Sequence, residues 1–152
     1  STLSSLTLTA EYTDGSKVVG ESSIVEMGKR IRAITCEPAQ PEAVAEAVDA
    51  IMEAELIVLG PGSLYTSIIP NLLVPGIVSA IREAQARKIY ICNVMTQPGE
   101  TTGYSVGDHV EALLAHAGPV RTPAGRLLHA VLVNESEGGR WAALDQRPNA
   151  RT

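Results

Sequence analysis

Two stretches put glycines and polar side chains where apolar strands should end. "LIVLGPGSLYTSIIPNLLVPG", residues 56–76, runs from four large apolar residues into Gly60-Pro61-Gly62-Ser63, followed by Tyr65-Thr66-Ser67. Glycines at 60 and 62 let the backbone approach a ligand closely, and Ser63, Thr66 and Ser67 add hydroxyl donors. With a helix N-terminus nearby, Gly60, Pro61, Gly62, Ser63, Thr66 and Ser67 suit a phosphate. The same residues also suit a plain structural corner, and the sequence leaves both readings open. The loop is neither a Walker sequence nor a dinucleotide fingerprint, lacking the lysine of the first and the third glycine of the second.

The second stretch, "CNVMTQPGETTGYS", gathers Asn93, Thr96, Gln97, Glu100, Thr101, Thr102 and Tyr104. Amides and hydroxyls of this kind suit a base, a ribose or a sugar, while Gln97-Pro98-Gly99-Glu100 also reads as an ordinary turn. Asp108 and His109 open the next helix, either as a cap and a boundary histidine or as an acid/base pair. His116 and His129 have no evident partner. No His/Cys/Asp cluster has metal-ligand spacing, no G-x-S-x-G elbow is present, and Cys92 has no assignable histidine partner. A lone Trp141 makes no stacking platform.

The 152 residues are one domain's worth of chain, and 45% hydrophobic with 19% charged content fits a globular protein. A formal charge of −5 disfavours nucleic acid and anionic membrane surfaces, which are bound through clustered Lys and Arg. Apolar runs are far shorter than the roughly 20 residues of a membrane helix, and no signal peptide is recognisable. Cys36 and Cys92 sit apart in apolar runs and read as buried free thiols of a cytoplasmic protein. The chain opens without Met and in mid-pattern, as a piece of a longer protein would.

The elements that position these loops follow from periodicity. Residues 3–24 alternate as a strand pair around Thr13-Asp14-Gly15-Ser16. A strand at 31–36 and a helix at 41–54, with Val44, Val48, Ile51 and Met52 as its apolar stripe, come next. Strand 56–59 is expected to be buried on both faces. A helix over about 75–86 buries Ile77, Ala80, Ile81 and Ala84, and strand 88–92 follows. Ser105 and Asp108 have capping-box spacing before a helix whose stripe is Val106, Val110, Leu113 and Leu114. The last strand is 127–133. This alternation predicts an α/β fold with strands 31–36, 56–59, 89–92 and 127–133 in one mainly parallel sheet. Residues 1–134 form the domain, 1–27 a hairpin arm and 135–152 a polar tail. Both loops then leave the carboxyl ends of neighbouring strands, where ligands of such sheets sit.

"ELIVLGPGSLYTSIIPNLLVPGI" and "ICNVMTQPGETTGYSVGDHVEALL" closely resemble the gluconeogenesis factor family, with "TAEYTDGSKVVGESSI" also similar. This is the bacterial branch of the CofD-like superfamily that includes 2-phospho-L-lactate transferase. The resemblance covers about residues 1–115 and fades beyond, apart from the last strand. It implies a Rossmann-like three-layer fold and a nucleotide-containing ligand, of the UDP-sugar type or else NAD or GDP. It also implies roles in growth on gluconeogenic carbon, cell shape and wall synthesis. Gly60, Pro61, Gly62, Ser63, Thr66 and Ser67 fall on the family's second phosphate-side loop; Asn93, Met95, Thr96 and Gln97 fall on its neighbour. The family's Gly-Gly-Gly-Thr-Gly, Asp-Asp-Gly-Gly and His-Asn-Leu-Gly segments do not occur here, so this chain is expected to hold only the second half of the ligand cleft.

A nucleotide-ligand-binding regulator is the leading expectation. The alternative is a transferase that moves a phospholactyl group onto a deazaflavin with Mg²⁺. Five aromatic residues provide little wall for such an acceptor. A third reading is a dimerisation module with the hairpin arm as its contact. Separately, a chain lacking the first half of the fold is expected to expose apolar sheet edge and to form a homodimer or larger species.

Overall fold

The computed structural model describes residues 2, 5–118 and 125–134. The expected tail with Trp141 lies outside the described residues.

Asp14 and Gly15 turn the chain between β1 (Thr7–Tyr12) and β2 (Lys17–Val19), with Gly15 at φ 83° and Ser16 N–H donating to Asp14 Oδ1 at 2.9 Å. These strands pair antiparallel, and β3 (Ile31–Glu37) joins the other edge of β1, also antiparallel. Strand 31–36 was expected in the parallel sheet and belongs instead to this antiparallel sheet, of order β2-β1-β3. The reason is partner choice. β1 buries Leu8, Ala10 and Tyr12 on one face, β3 buries Ile31 and Ile34, and pairing the two closes a shared apolar face. Residues 21–24, expected to end the hairpin, form α1 (Glu21–Glu26), which buries Ile24 beneath the Tyr12 ring's hydroxyl bond to the Ile24 carbonyl (3.0 Å).

The second sheet is parallel, of order β4-β5-β6, from β4 (Leu56–Leu59), β5 (Arg87–Ile91) and β6 (Ala130–Leu132). Its helices are α2 (Ala45–Glu53), α3 (Ile69–Leu72), α4 (Pro75–Glu83) and α5 (Val106–His116). The chain is thus α/β, with a parallel sheet and an N-terminal antiparallel sheet whose buried residues join one core cluster.

Several local expectations change. Pro41 and Glu42 precede α2 rather than opening it, because Ala43 bridges antiparallel to Thr2 and Val44 is extended. On α2, Val48 and Ile51 pack against the core while Met52 is exposed. α4 buries Ile77, Ala80 and Ile81 as its spacing predicts, with Ala84 just beyond its end. On α5 only Leu113 of the expected stripe is fully buried; Val106 and Leu114 are exposed. β4 is not buried on both faces. It is an edge strand, so Leu59 turns inward while Leu56 and Val58 are 52% and 47% exposed. Lys88, buried within β5, points its ammonium at the Ala84 and Arg82 carbonyls (2.7 and 3.3 Å), and so caps the negative end of α4.

Among the described residues no single helix is long and apolar enough to cross a membrane; one sharply bent pair, 64–72 with 75–83, passes by length and composition only. Both cysteines are free, Cys92 buried and Cys36 half-buried.

Candidate functional site

The parallel register of β4 and β5 sets the site. Leu59 pairs with Tyr90, so the segments that follow, Gly60–Ser63 and Asn93–Gln97, emerge side by side at the same carboxyl end. The first loop is shorter than its composition suggests. From Leu64 to Ile68 the chain makes one π-helical turn that runs into α3. Leu64, Tyr65, Ile68, Ile69 and Leu72 recur at helical spacing and are all buried. Pro70 sits in the first turn of α3, where its missing N–H does little harm. A π-turn of this kind occurs often at functional sites.

The two loops are laced together by side chains. Asn93 accepts from the Gly62 amide through Oδ1 (3.2 Å) and donates through Nδ2 to the Gly62 carbonyl (2.9 Å). Gln97 Nε2 donates to Ser63 Oγ at 3.1 Å. Glu100, only 4% exposed, accepts the Tyr65 amide (3.0 Å) and the Thr66 hydroxyl (2.7 Å) on its two oxygens. Thr101, fully buried, accepts the Gln97 amide at 2.8 Å and so fixes the base of the second loop.

These bonds sort the predicted residues. Ser63 accepts from Gln97, so its own hydroxyl hydrogen stays available to an incoming acceptor. Thr66 has committed its hydroxyl hydrogen to Glu100 and offers only lone pairs outward. The Gly62 amide and carbonyl are both engaged by Asn93. Ser67 is exposed, and with Gly60, Pro61 and Asn71 it rims a cavity of about 320 Å³ floored by Leu59, Ile68 and neighbouring aliphatics. On the second loop Asn93 and Gln97 face the first loop, whereas Val94, Met95 and Thr96 are exposed.

The two glycines differ. Gly60 has φ 83°, and an added Cβ would lie 2.9 Å from the Ile91 carbonyl oxygen, so the fold itself demands glycine there. Gly62 is outside the left-handed region, and an added Cβ would meet only Ser67 and Ile68 at 3.7 and 3.8 Å, ordinary contact distances. Nothing in the fold requires Gly62.

Asp108 and His109 are not brought together as a pair. Ser105 caps α5, its side chain accepting the Asp108 amide (3.2 Å) while Asp108 Oδ2 accepts the Ser105 amide (2.7 Å). The Ser105 hydroxyl also donates to Asp108 Oδ2 (2.7 Å), and this bond first, with the Ser105 amide second, holds the Asp108 carboxyl below the usual range. His109 is buried, packs edge-on against Tyr104, and Nδ1–H donates to the Ser105 carbonyl (2.8 Å). Tyr104 in turn shares a hydroxyl bond with Tyr65 (2.7 Å), whose own ionisation is pushed well up, chiefly by burial. Residue types alone did not single out Glu100 as the latch between the loops. Its acidic side chain beside a Pro-Gly turn looks like any solvated turn residue, and only its burial reveals the role.

The Mg²⁺ of the transferase branch finds no match in these side chains. Among the described residues no group of three or more His, Cys, Asp or Glu could hold a metal ion. The nearby carboxylates, Glu100 and Asp108, already serve backbone donors, so the described residues form no site for that ion.

Comparison with known proteins places this arrangement in a family. The family model for 2-phospho-L-lactate transferase CofD matches residues 1–147, further along the chain than the quoted motifs reach. A protein called gluconeogenesis factor from Halalkalibacterium halodurans is 45% identical over 144 residues, 95% of this chain and 44% of that protein. Its namesake from Bacillus subtilis is 55% identical over 114 residues, 75% of this chain and 36% of that protein. A crystal structure of a Bacillus halodurans protein superposes with TM-score 0.78 at 48% identity, covering 85% of this chain and 40% of that one. The chain spans less than half the length of these relatives. With its motifs, its fold and a family model matched over nearly all its length in agreement, the chain belongs to the 2-phospho-L-lactate transferase CofD family.

Proposed function

We propose that this chain carries one side of a binding site for a phosphate-bearing small molecule of the nucleotide type, at the carboxyl ends of β4 and β5. Gly62 carries the reading: a glycine that the fold does not need, beside a serine whose hydroxyl hydrogen is uncommitted, makes sense if a ligand passes close to the backbone. UDP-sugars, GDP and NAD are the ligands to test, and a regulatory role in carbon metabolism goes with them through the relatives' name. Asn93 and Gln97 hold the anion loop in place rather than contact the base.

The test separates fold from ligand. Gly62→Ala should leave stability unchanged or raise it by about 0.4–1 kcal/mol through the unfolded chain. In calorimetric titration the same variant should lose nucleotide affinity tenfold or more. Ser63→Ala should weaken binding by about 1.5–3 kcal/mol, the worth of a hydrogen bond to a charged partner. If both variants bind UDP-N-acetylglucosamine, GDP and pyrophosphate as well as the parent does, the loop is a structural corner.

The family description favours a second reading, in which the same loop holds the phosphate of a transferred 2-phospho-L-lactyl group. Incubation with a nucleotide-activated phospholactate and a deazaflavin acceptor, read by mass spectrometry, tests it. Turnover abolished by Ser63→Ala would establish the transferase; binding without turnover in a full-length relative would leave the regulator.

A further inference from the structure

The turn between α1 and β3 and the far end of the second loop meet across a contact of backbone on backbone. Gly99 has φ 83°, and a Cβ added there would overlap the Val25 carbonyl oxygen near the end of α1. Beside this contact lies a cavity of about 220 Å³, walled by Gly28, Lys29 and Arg30 of the turn and by Gly99, Glu100, Thr102 and Tyr104 of the loop. No residue of the first loop lines it. Two cations thus share one cavity, and each is held only by a surface pair. Lys29 Nζ lies 2.7 Å from Asp14 Oδ2, and Arg30 Nη2 lies 3.9 Å from Asp108 Oδ1, with the cationic side chains 41% and 58% exposed. The Arg30 guanidinium also stands 5.1 Å over the Tyr104 ring. Glu100, the one carboxylate in the lining, has both oxygens engaged by the Tyr65 amide and the Thr66 hydroxyl. Thr102 is exposed and bonded to no described residue, so its hydroxyl is uncommitted.

We propose that this cavity is a second anion site, for a small oxyanion of more than one charge, separate from the site at the ends of β4 and β5. Exposed ion pairs contribute little, so an anion that meets both cations at once displaces little. The planar fork of Arg30 suits paired oxygens, and Thr102 adds a neutral donor. Size sets the ligand class. Sites for drug-sized molecules span roughly 300–1,000 Å³, so this cavity suits a free phosphate or a compact polycarboxylate and is too small for a nucleotide. Occupied, it would tie the α1–β3 turn to the loop that carries Glu100, the latch on Tyr65 and Thr66.

The experiment titrates inorganic phosphate and citrate separately, at low ionic strength, into the parent and into Gly62→Ala, where the first loop's close approach is blocked. Arg30→Gln, Lys29→Met and Asp14→Asn are then each added to Gly62→Ala. The site predicts that at least one anion binds Gly62→Ala as it binds the parent and raises its thermal midpoint. Arg30→Gln and Lys29→Met should each weaken that binding about tenfold or more, the effect of losing a hydrogen bond to a charged partner. Asp14→Asn should tighten it by roughly two- to fivefold, since it releases Lys29 while Asn-Gly still suits the hairpin turn. A purely structural Lys29 predicts no such gain. Preference for phosphate or for citrate assigns the source of the anion, and either preference supports the site. These outcomes hold whether or not Gly62 and Ser63 bind nucleotide. Binding that is lost in Gly62→Ala and survives Arg30→Gln returns the anion to the first loop and overturns the second site alone. So does a parent that binds neither anion, or an Asp14→Asn variant that binds more weakly.

Discussion

Glu100 is a nearly buried carboxylate whose two oxygens hold a backbone amide and a hydroxyl of the opposite loop. A carboxylate can only accept, so its presence decides the direction of the Thr66 hydroxyl. This divides the two hydroxyls that the composition treats alike. Thr66 belongs to the scaffold, while Ser63, accepting from Gln97, keeps a donor free. Glu100→Ala strands the Tyr65 amide and the Thr66 hydroxyl and should destabilise by about 2–4 kcal/mol in denaturant unfolding. Glu100→Gln can still accept from the Tyr65 amide and should cost much less. Combining Glu100→Ala with Thr66→Ala should give a coupling of about 1 kcal/mol or more, since the two share one bond. Strict additivity in that cycle would remove Glu100 as the latch.

At the scale of elements, α5 is fastened to β3 by one imidazole. His116 Nδ1–H donates to the Ala112 carbonyl at 2.7 Å, which leaves Nε2 as an acceptor for the Ile34 amide at 2.9 Å. Only the neutral ring can do both. Burial, the larger influence, lowers its pKa below the ordinary value, outweighing the opposing Ala112 bond. His129, whose Nδ1 accepts the Lys88 amide at 3.1 Å, shifts the same way, through burial first and then the charges of Lys88, Arg87 and Arg126. A depressed folded-state pKa means that, below about pH 6.5, the unfolded chain binds protons the folded chain refuses. Stability from these groups is therefore whole above that pH and drains as pH falls. The thermal midpoint should drop between pH 7.5 and 5.5, and His116→Gln should flatten the drop while lowering the midpoint at pH 7.5. A midpoint that rises on acidification would refute this account.

Across the whole molecule, the parallel sheet stops at β4 with Leu56 and Val58 turned outward and no described strand on its outer edge. Such an edge recruits a partner. Glu55 precedes it, but four consecutive apolar residues follow, too few charges to blunt it. We expect the chain to self-associate, so sedimentation velocity across a concentration series should show a dimer or larger species. Val58→Lys should shift the distribution to monomer, because a charge on the exposed face opposes edge pairing. A parent that remains monomeric throughout the series would show that the edge is protected in solution.

Local chemistry was legible in the sequence because it depends on neighbours along the chain. Asp14-Gly15 specified the hairpin, Ser105 with Asp108 the cap of α5, and Ile77, Ala80 and Ile81 the inner face of α4. The parallel β4 and β5 and the loops at their ends were legible too, since apolar strands alternating with amphipathic helices admit few topologies. What depended on distant partners was not. β3 reads like any short apolar strand, and only its fit against Leu8, Ala10 and Tyr12 drew it to β1 instead of β4. Val58 reads as core until its strand proves to be an edge. Gly60 and Gly62 are the same letter two places apart. Only the Ile91 carbonyl packed 2.9 Å from a Cβ added at Gly60, against 3.7 Å or more of clearance at Gly62, shows that the fold requires glycine at the first position and not at the second. Sequence determined which residues could do chemistry and at which end of the sheet; tertiary packing decided which donors remained free to do it.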